Sequence, residues 1–291
     1  MFTIPELAAE ALGSHLAEQM GRQFSSTDAD VIERVQSAAR LAIECIGNSD
    51  ALYHNVEHTM LVTLVGVDIL GGRRLFVETS ASDFEHLIVA CLFHDIGYVR
   101  GILKGDSADG YIIDMKGNKA ELPRGSSDAA LMPYRVNRSK LFVMDRVAKM
   151  KSLDAARIAN AIECTRHGAS DSDGEEGALV RAANLIGQLG DPQYLRKANS
   201  LYYEFEEVGR NKEFGYASPA DLTELYPKFY WKSASAHIQR AMRYLNVTSN
   251  GRRWIANLHS NVFRAERGLS LSDGVDKPMS PLPQERIFAV R

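Results

Sequence analysis

The stretch "HLIVACLFHDIGY", residues 86–98, constrains this chain's fold more than any other. Its apolar run reads as a helix set in a hydrophobic core, yet it ends on His94 and Asp95, two groups that are costly to bury. "SDFE", Ser82 to Glu85, reads as the capping box that opens this helix, and Gly97 is placed to serve as its C-terminal cap. No Lys or Arg lies in "HLIVACLF" to neutralise the aspartate. A carboxylate buried there needs a partner charge or a metal.

Helical patterns recur along the chain. "TDADVIERVQSAARLAIECI" carries apolar residues at helical spacing from Val31 to Cys45, with Thr27 as the expected cap. A second helix follows "YHN" and runs through "VEHTMLVTLVGVDIL" to a stop at Gly71 and Gly72. "SDGE", Ser172 to Glu175, reads as another helix start, and in "SPAD" Ser218 can cap while Pro219 suits the first turn. "KSASAHIQRAMRYL" and "RRWIANLHSNVFRAE" complete the set.

Only "GYIIDMKGNKAEL" looks like strand, two short runs around a turn at Lys116 to Asn118, inside a polar, Gly-rich insert spanning about residues 101–139. The expected fold is all-α with a small β-hairpin insertion. One domain over residues 1–291 is expected, with a core at about 50–190 and a C-terminal helical extension at about 195–267. The tail "SDGVDKPMSPLPQER" reads as extended or loosely held.

Charge and composition narrow the function. Lys and Arg total 34 against 37 Asp and Glu, a net charge of -3, so strong electrostatic binding of nucleic acid is not expected. The N-terminal stretch lacks a basic region followed by an apolar one, and no run approaches a membrane span. Cys45, Cys91 and Cys164 are far apart within apolar helical patterns, which fits free thiols in a reducing compartment. The expectation is a cytoplasmic protein without nucleic-acid or membrane partners. Its oligomeric state stays open, a homodimer included.

In "YHNVEH", His54 and His58 are four residues apart and share a helical face. That spacing alone suits surface or capped histidines as well as ligands. His94 and Asp95 change the balance, because at a helix end both side chains can turn toward one point. Three imidazoles and a carboxylate on two strongly apolar helices fit a divalent-cation site.

"YHNVEH" followed by "LFHDIGY", with His94 lying 36 residues after His58, resembles the HD-domain metal-dependent phosphohydrolases. The HNxxH element is similar to their cyclic nucleotide phosphodiesterase branch. The resemblance covers roughly residues 50–190 and implies an HD-domain helical bundle in which His58, His94 and Asp95 are metal ligands. It makes His54 the general acid that protonates the leaving oxygen, and it lets Asp95 bridge two metals.

The family's last ligand is an aspartate on a later helix. Here the matching stretch is "VRAANLIGQLGDPQY", and the residue in that position is Asn184. Asp191 lies seven residues on, about 10 Å along a helix, so it cannot reach the same point. An asparagine carbonyl can bind a hard cation but brings no charge. Arg181, Asn184 and Gln188 form a narrow polar stripe on that helix, facing either water or a cavity.

Several further residues are candidates. Arg124, Arg135, Arg138 and Lys140 follow the HD motif closely enough to fold over its mouth, where arginines would clamp phosphate; a solvated loop is the plainer reading. Glu57 and Glu163 are candidates to orient a histidine, and "ECTRHG" puts Glu163 and His167 on one helical face.

Two functions are consistent with these residues. One is a phosphohydrolase acting on a phosphoester, plausibly a nucleotide or cyclic nucleotide, through metal-activated water and a histidine general acid. Its ion would be manganese, magnesium, iron, nickel or zinc. The other is a weakened or inactive relative that senses a nucleotide, with Asn184 marking the lost chemistry.

Overall fold

Helices dominate the computed structural model, which describes residues 3–24, 29–150, 153–169 and 174–268. The fold is all-α with one small antiparallel hairpin. α1 (Ile4–Gln23) opens on a capping box between Thr3 and Glu6 and packs along α2 (Ala29–Ile46).

The centre is built on α3 (Val56–Arg73) and α4 (Ala81–Phe93). Every residue of α4 from Phe84 to Phe93 is buried, because α2, α3 and α6 (Ala155–Glu163) all pack against it. α3 is covered in turn by α7 (Glu175–Leu189) and α12 (Ser235–Leu245). A Cβ on Gly187 would come within 2.9 Å of the Val62 backbone, so α7 crosses α3 at close range only because that position is glycine.

Two local expectations for α4 are corrected. Its capping box is Ser80 with Asp83, two residues ahead of the expected Ser82 and Glu85. Glu85 is unavailable as a cap because it is buried and held by Arg34 at 2.6 and 3.2 Å. Gly97 does not act as a left-handed cap either: α4 ends through His94 in right-handed conformation and passes into a 3-10 turn at Ile96–Tyr98. Glycine is required there because a Cβ would stand 2.0 Å from the Arg135 carbonyl and 2.7 Å from the Ser139 nitrogen.

The insert holds β1 (Tyr111–Ile112) and β2 (Lys119–Ala120), with Tyr111 opposite Ala120. Asp114 closes the turn by accepting from the Lys116 and Asn118 backbone N–H groups. The insert ends earlier than expected, since residues Asp128–Tyr134 form a 3-10 segment and α5 (Arg135–Arg146) begins directly after it.

Beyond α7 come α8 (Tyr194–Glu207), α9 (Arg210–Phe214), α10 (Pro219–Glu224), α11 (Tyr226–Phe229), α12 and α13 (Ser249–Glu266). Ser218 and Pro219 open α10 as expected. The expected caps at Thr27 and Ser172 and the tail "SDGVDKPMSPLPQER" lie outside the described residues. Cys45, Cys91 and Cys164 are free thiols, and no described helix is long and apolar enough to cross a membrane.

Candidate functional site

Local sequence sets the first half of the site. Asn55 caps α3 by accepting from the Glu57 and His58 N–H groups, which puts His58 in the first turn and leaves His54 just ahead of the helix. The His54 ring stacks on Tyr98 with centroids 4.6 Å apart. His54 Nδ1 lies 2.5 Å from Glu204 Oε2, while Glu204 Oε1 accepts from the Tyr53 and His54 backbone N–H groups at 2.6 and 3.1 Å. Burial works against the charge of Glu204, but His54 and these hydrogen bonds hold its carboxyl below the ordinary range. One ring nitrogen of His54 is thus fixed by a carboxylate.

The second half comes from the end of α4. His94 Nδ1 lies 2.8 Å from the Cys91 carbonyl, a contact in which the nitrogen must donate, so Nε2 of the neutral ring carries a lone pair. That Nε2 stands 3.0 Å from Asp95 Oδ2, and His58 Nε2 stands 3.4 Å from the same oxygen. Neither approach forms a hydrogen bond: His58 Nε2, His94 Nε2 and Asp95 Oδ2 are all buried without a hydrogen-bond partner. Burial drives the pKa of His58 down to about 4, so this ring is neutral at neutral pH. Burial also opposes ionisation of Asp95, yet the Arg135 guanidinium beside it helps hold the carboxyl well below the usual range.

His58 Nε2, His94 Nε2 and Asp95 Oδ2 therefore converge as buried polar atoms without a hydrogen-bond partner, an arrangement that a cation can satisfy. Ligating atoms of His54, His58 and Asp95 lie within 4.8 Å of one another, the one such His/Cys/Asp/Glu group among the described residues. Nitrogen donors with one carboxylate suit a first-row transition ion better than calcium or magnesium. His54, His58 and Asp95 are the residues whose geometry could hold an ion, and His94 Nε2 stands 3.0 Å from Asp95 Oδ2 beside them.

Asn184 is half-buried on α7, one turn ahead of the close crossing at Gly187. The polar stripe around it faces protein rather than water: Arg181 is buried, donating to the Cys164 carbonyl at 2.6 Å, and Gln188 lies beside the Tyr194 hydroxyl.

The arginines divide sharply. Arg135 Nη1 donates to Asp95 Oδ1 at 2.7 Å, so it meets the cluster directly. Arg138 is not a phosphate clamp. Its side chain is wholly buried, and its five N–H donors serve the carbonyls of Gly97, Val99 and Ile112 and both carboxylate oxygens of Asp106. It ties the insert to the HD turn. Arg124 is exposed in a turn, and Lys140 pairs with Glu163 at 2.8 Å.

Glu163 and His167 do not enter the cluster. Glu163 binds Arg166 and Lys140, whose charges hold its pKa down to about 2. His167 is exposed, its ring 6.0 Å from that of Phe214. Glu57 is exposed and pairs with Lys197 at 2.8 Å rather than with a histidine.

A sequence-family profile described as Npun_R2479-like matches residues 2–268. The chain belongs to the Npun_R2479-like family. Comparison with curated proteins and with solved structures returns no match.

In this Npun_R2479-like chain the residue of the candidate site that sequence reasoning missed is Glu204. It sits in the expected C-terminal extension, outside the stretch 50–190. A signal existed: Tyr194, Ala198, Leu201 and Glu204 fall at spacings of four, three and three, so a carboxylate occupies the buried stripe of α8.

Proposed function

We propose that the protein is a metal-dependent phosphohydrolase of the HD type, acting on a small phosphoester such as a nucleotide or cyclic nucleotide. The observation that carries this reading is the convergence of His58 Nε2, His94 Nε2 and Asp95 Oδ2, all buried and unpartnered, beside a histidine already paired with a carboxylate. His58, His94 and Asp95 would hold the ion, with the Asn184 carbonyl as a neutral fourth donor. When bound, the ion supplies a nucleophile at neutral pH and neutralises charge on the phosphoryl oxygens.

The chain's own residues do the rest. Glu204 fixes the ring of His54 through Nδ1, and Tyr98 holds the ring plane by stacking. His54 then hands a proton to the departing oxygen, a transfer worth about 10²–10⁴ in rate. Burial of the cluster keeps bulk water from competing for these contacts.

Protein purified without chelator should carry a transition metal by elemental mass spectrometry, and manganese-loaded protein should hydrolyse bis-p-nitrophenyl phosphate or a cyclic nucleotide. EDTA, His94→Ala and Asp95→Asn should each abolish turnover. Hydrolysis that survives in metal-free protein would overturn the reading.

A second reading, a nucleotide-binding sensor without turnover, is favoured by two features: Asn184 is neutral, and Asp95 already pairs with Arg135. It expects nucleotide binding by calorimetry with no product, and hydrolysis gained on Asn184→Asp.

A further inference from the structure

The two oxygens of Asp95 face different partners. Oδ2 looks into the imidazole cluster, while Oδ1 accepts from Arg135 Nη1 at 2.7 Å. The same guanidinium donates from Nη2 to the Thr165 carbonyl at 2.9 Å and lies 3.4 Å from Thr165 Oγ1 through Nη1. Asp95 Oδ1, Thr165 O and Thr165 Oγ1 thus form a cradle of three oxygens around one cationic group. Carboxylate, carbonyl and hydroxyl oxygens are the donors that hard divalent cations take.

We infer that Arg135 fills a built-in second cation position, so that the native protein loads one divalent ion per chain. This rests on the metal reading given above. A guanidinium keeps its charge at any working pH and cannot give way by losing a proton. Its backbone is also fixed, since the Arg135 carbonyl packs against Gly97 with no room for a Cβ between them. Thr165 is held by its own contacts, its hydroxyl donating to the Ile162 carbonyl at 2.8 Å. A second ion entering the cradle would meet a full positive charge that loss of a proton cannot remove. Arg135 is accordingly a positioning residue, which orients Asp95 toward the imidazoles and tempers its charge.

Manganese titration of the full chain tests this, with bound metal counted by elemental mass spectrometry after desalting and the spin state followed by electron paramagnetic resonance. Wild type should saturate at one equivalent and give the six-line signal of an isolated ion. Arg135→Ala should take up a second equivalent, with the signal broadened and weakened by coupling across Asp95. Arg135→Gln, which keeps donors for Thr165 but lacks the charge, serves if the alanine variant fails to fold. Two equivalents in the wild type, or one in a folded charge-free variant, would overturn the inference while leaving the metal reading intact. No metal in the wild type would bring down both.

Discussion

Glu204 and His54, 150 residues apart in the chain, act as one unit. One carboxylate oxygen meets the imidazole and the other accepts the backbone N–H groups of Tyr53 and His54, so a single side chain sets both the ring and the loop that carries it.

Glu204→Gln separates those roles. The amide keeps a carbonyl oxygen for the backbone N–H groups but loses the charge that faces His54. In the proposed reaction kcat should fall by about 10²-fold or more with KM little changed. Steady-state kinetics on a folded variant, checked by circular dichroism, decides it; an undiminished kcat would remove His54 from acid catalysis.

Arg138 and Arg124 should behave as opposites although both lie in the same polar region. Arg138→Met leaves the buried Asp106 carboxylate and three carbonyls without their donor, a cost of about 3–5 kcal/mol. Arg124→Ala should stay within about 0.5 kcal/mol of wild type. Urea midpoints measured side by side would refute the structural role of Arg138 if the two variants unfold together.

Gly97→Ala forces a methyl group into the Arg135 carbonyl and the Ser139 nitrogen. Both obstacles are backbone, so α5 must move away from the turn that carries Asp95. Overpacking of this kind costs about 1–3 kcal/mol or more. The variant should unfold at lower urea and retain less metal; wild-type values for both would show that the contact yields easily.

Glu163 gives a pH test away from the cluster. Its pKa is about 2 in the folded chain against 4.5 for the free group, with the Arg166 hydrogen bond as the largest cause. The folded state therefore holds this proton less tightly than the unfolded state, and the stabilisation is present above pH 4.5 and lost as pH falls toward 2. With its side chain 28% exposed, the contribution is discounted by solvent to on the order of 1 kcal/mol. Wild type should exceed Glu163→Gln in stability at pH 7, with the gap narrowing by pH 3. A gap that widens with acid would reverse the sign argued here.

Much of the architecture is legible in short range. The apolar run of α4 and the hairpin at Tyr111–Ala120 each follow from spacing within a few residues, because helical and strand periodicities are local properties, whereas the expected shared helical face of His54 and His58 does not form, since Asn55 caps α3 and leaves His54 ahead of it. The cap of α4 shows where that locality ends: Ser82 and Glu85 match the pattern as well as Ser80 and Asp83 do, and Arg34 of α2 decides between them by claiming Glu85.

By itself, then, the sequence determined a helical chain with a hairpin and with imidazoles and an aspartate on neighbouring apolar helices. Only the tertiary structure decided which charges meet them. Glu204 reaches His54 from α8, Arg135 reaches Asp95 from α5, and Arg138, three residues further on, turns into the core instead. Arg135 and Arg138 are the same residue type on the same helix, so composition and spacing cannot assign one to the site and the other to the insert. The assignment depends on the carbonyls and carboxylates that the packed helices bring within hydrogen-bond reach, and those contacts span 26 to 150 residues of chain.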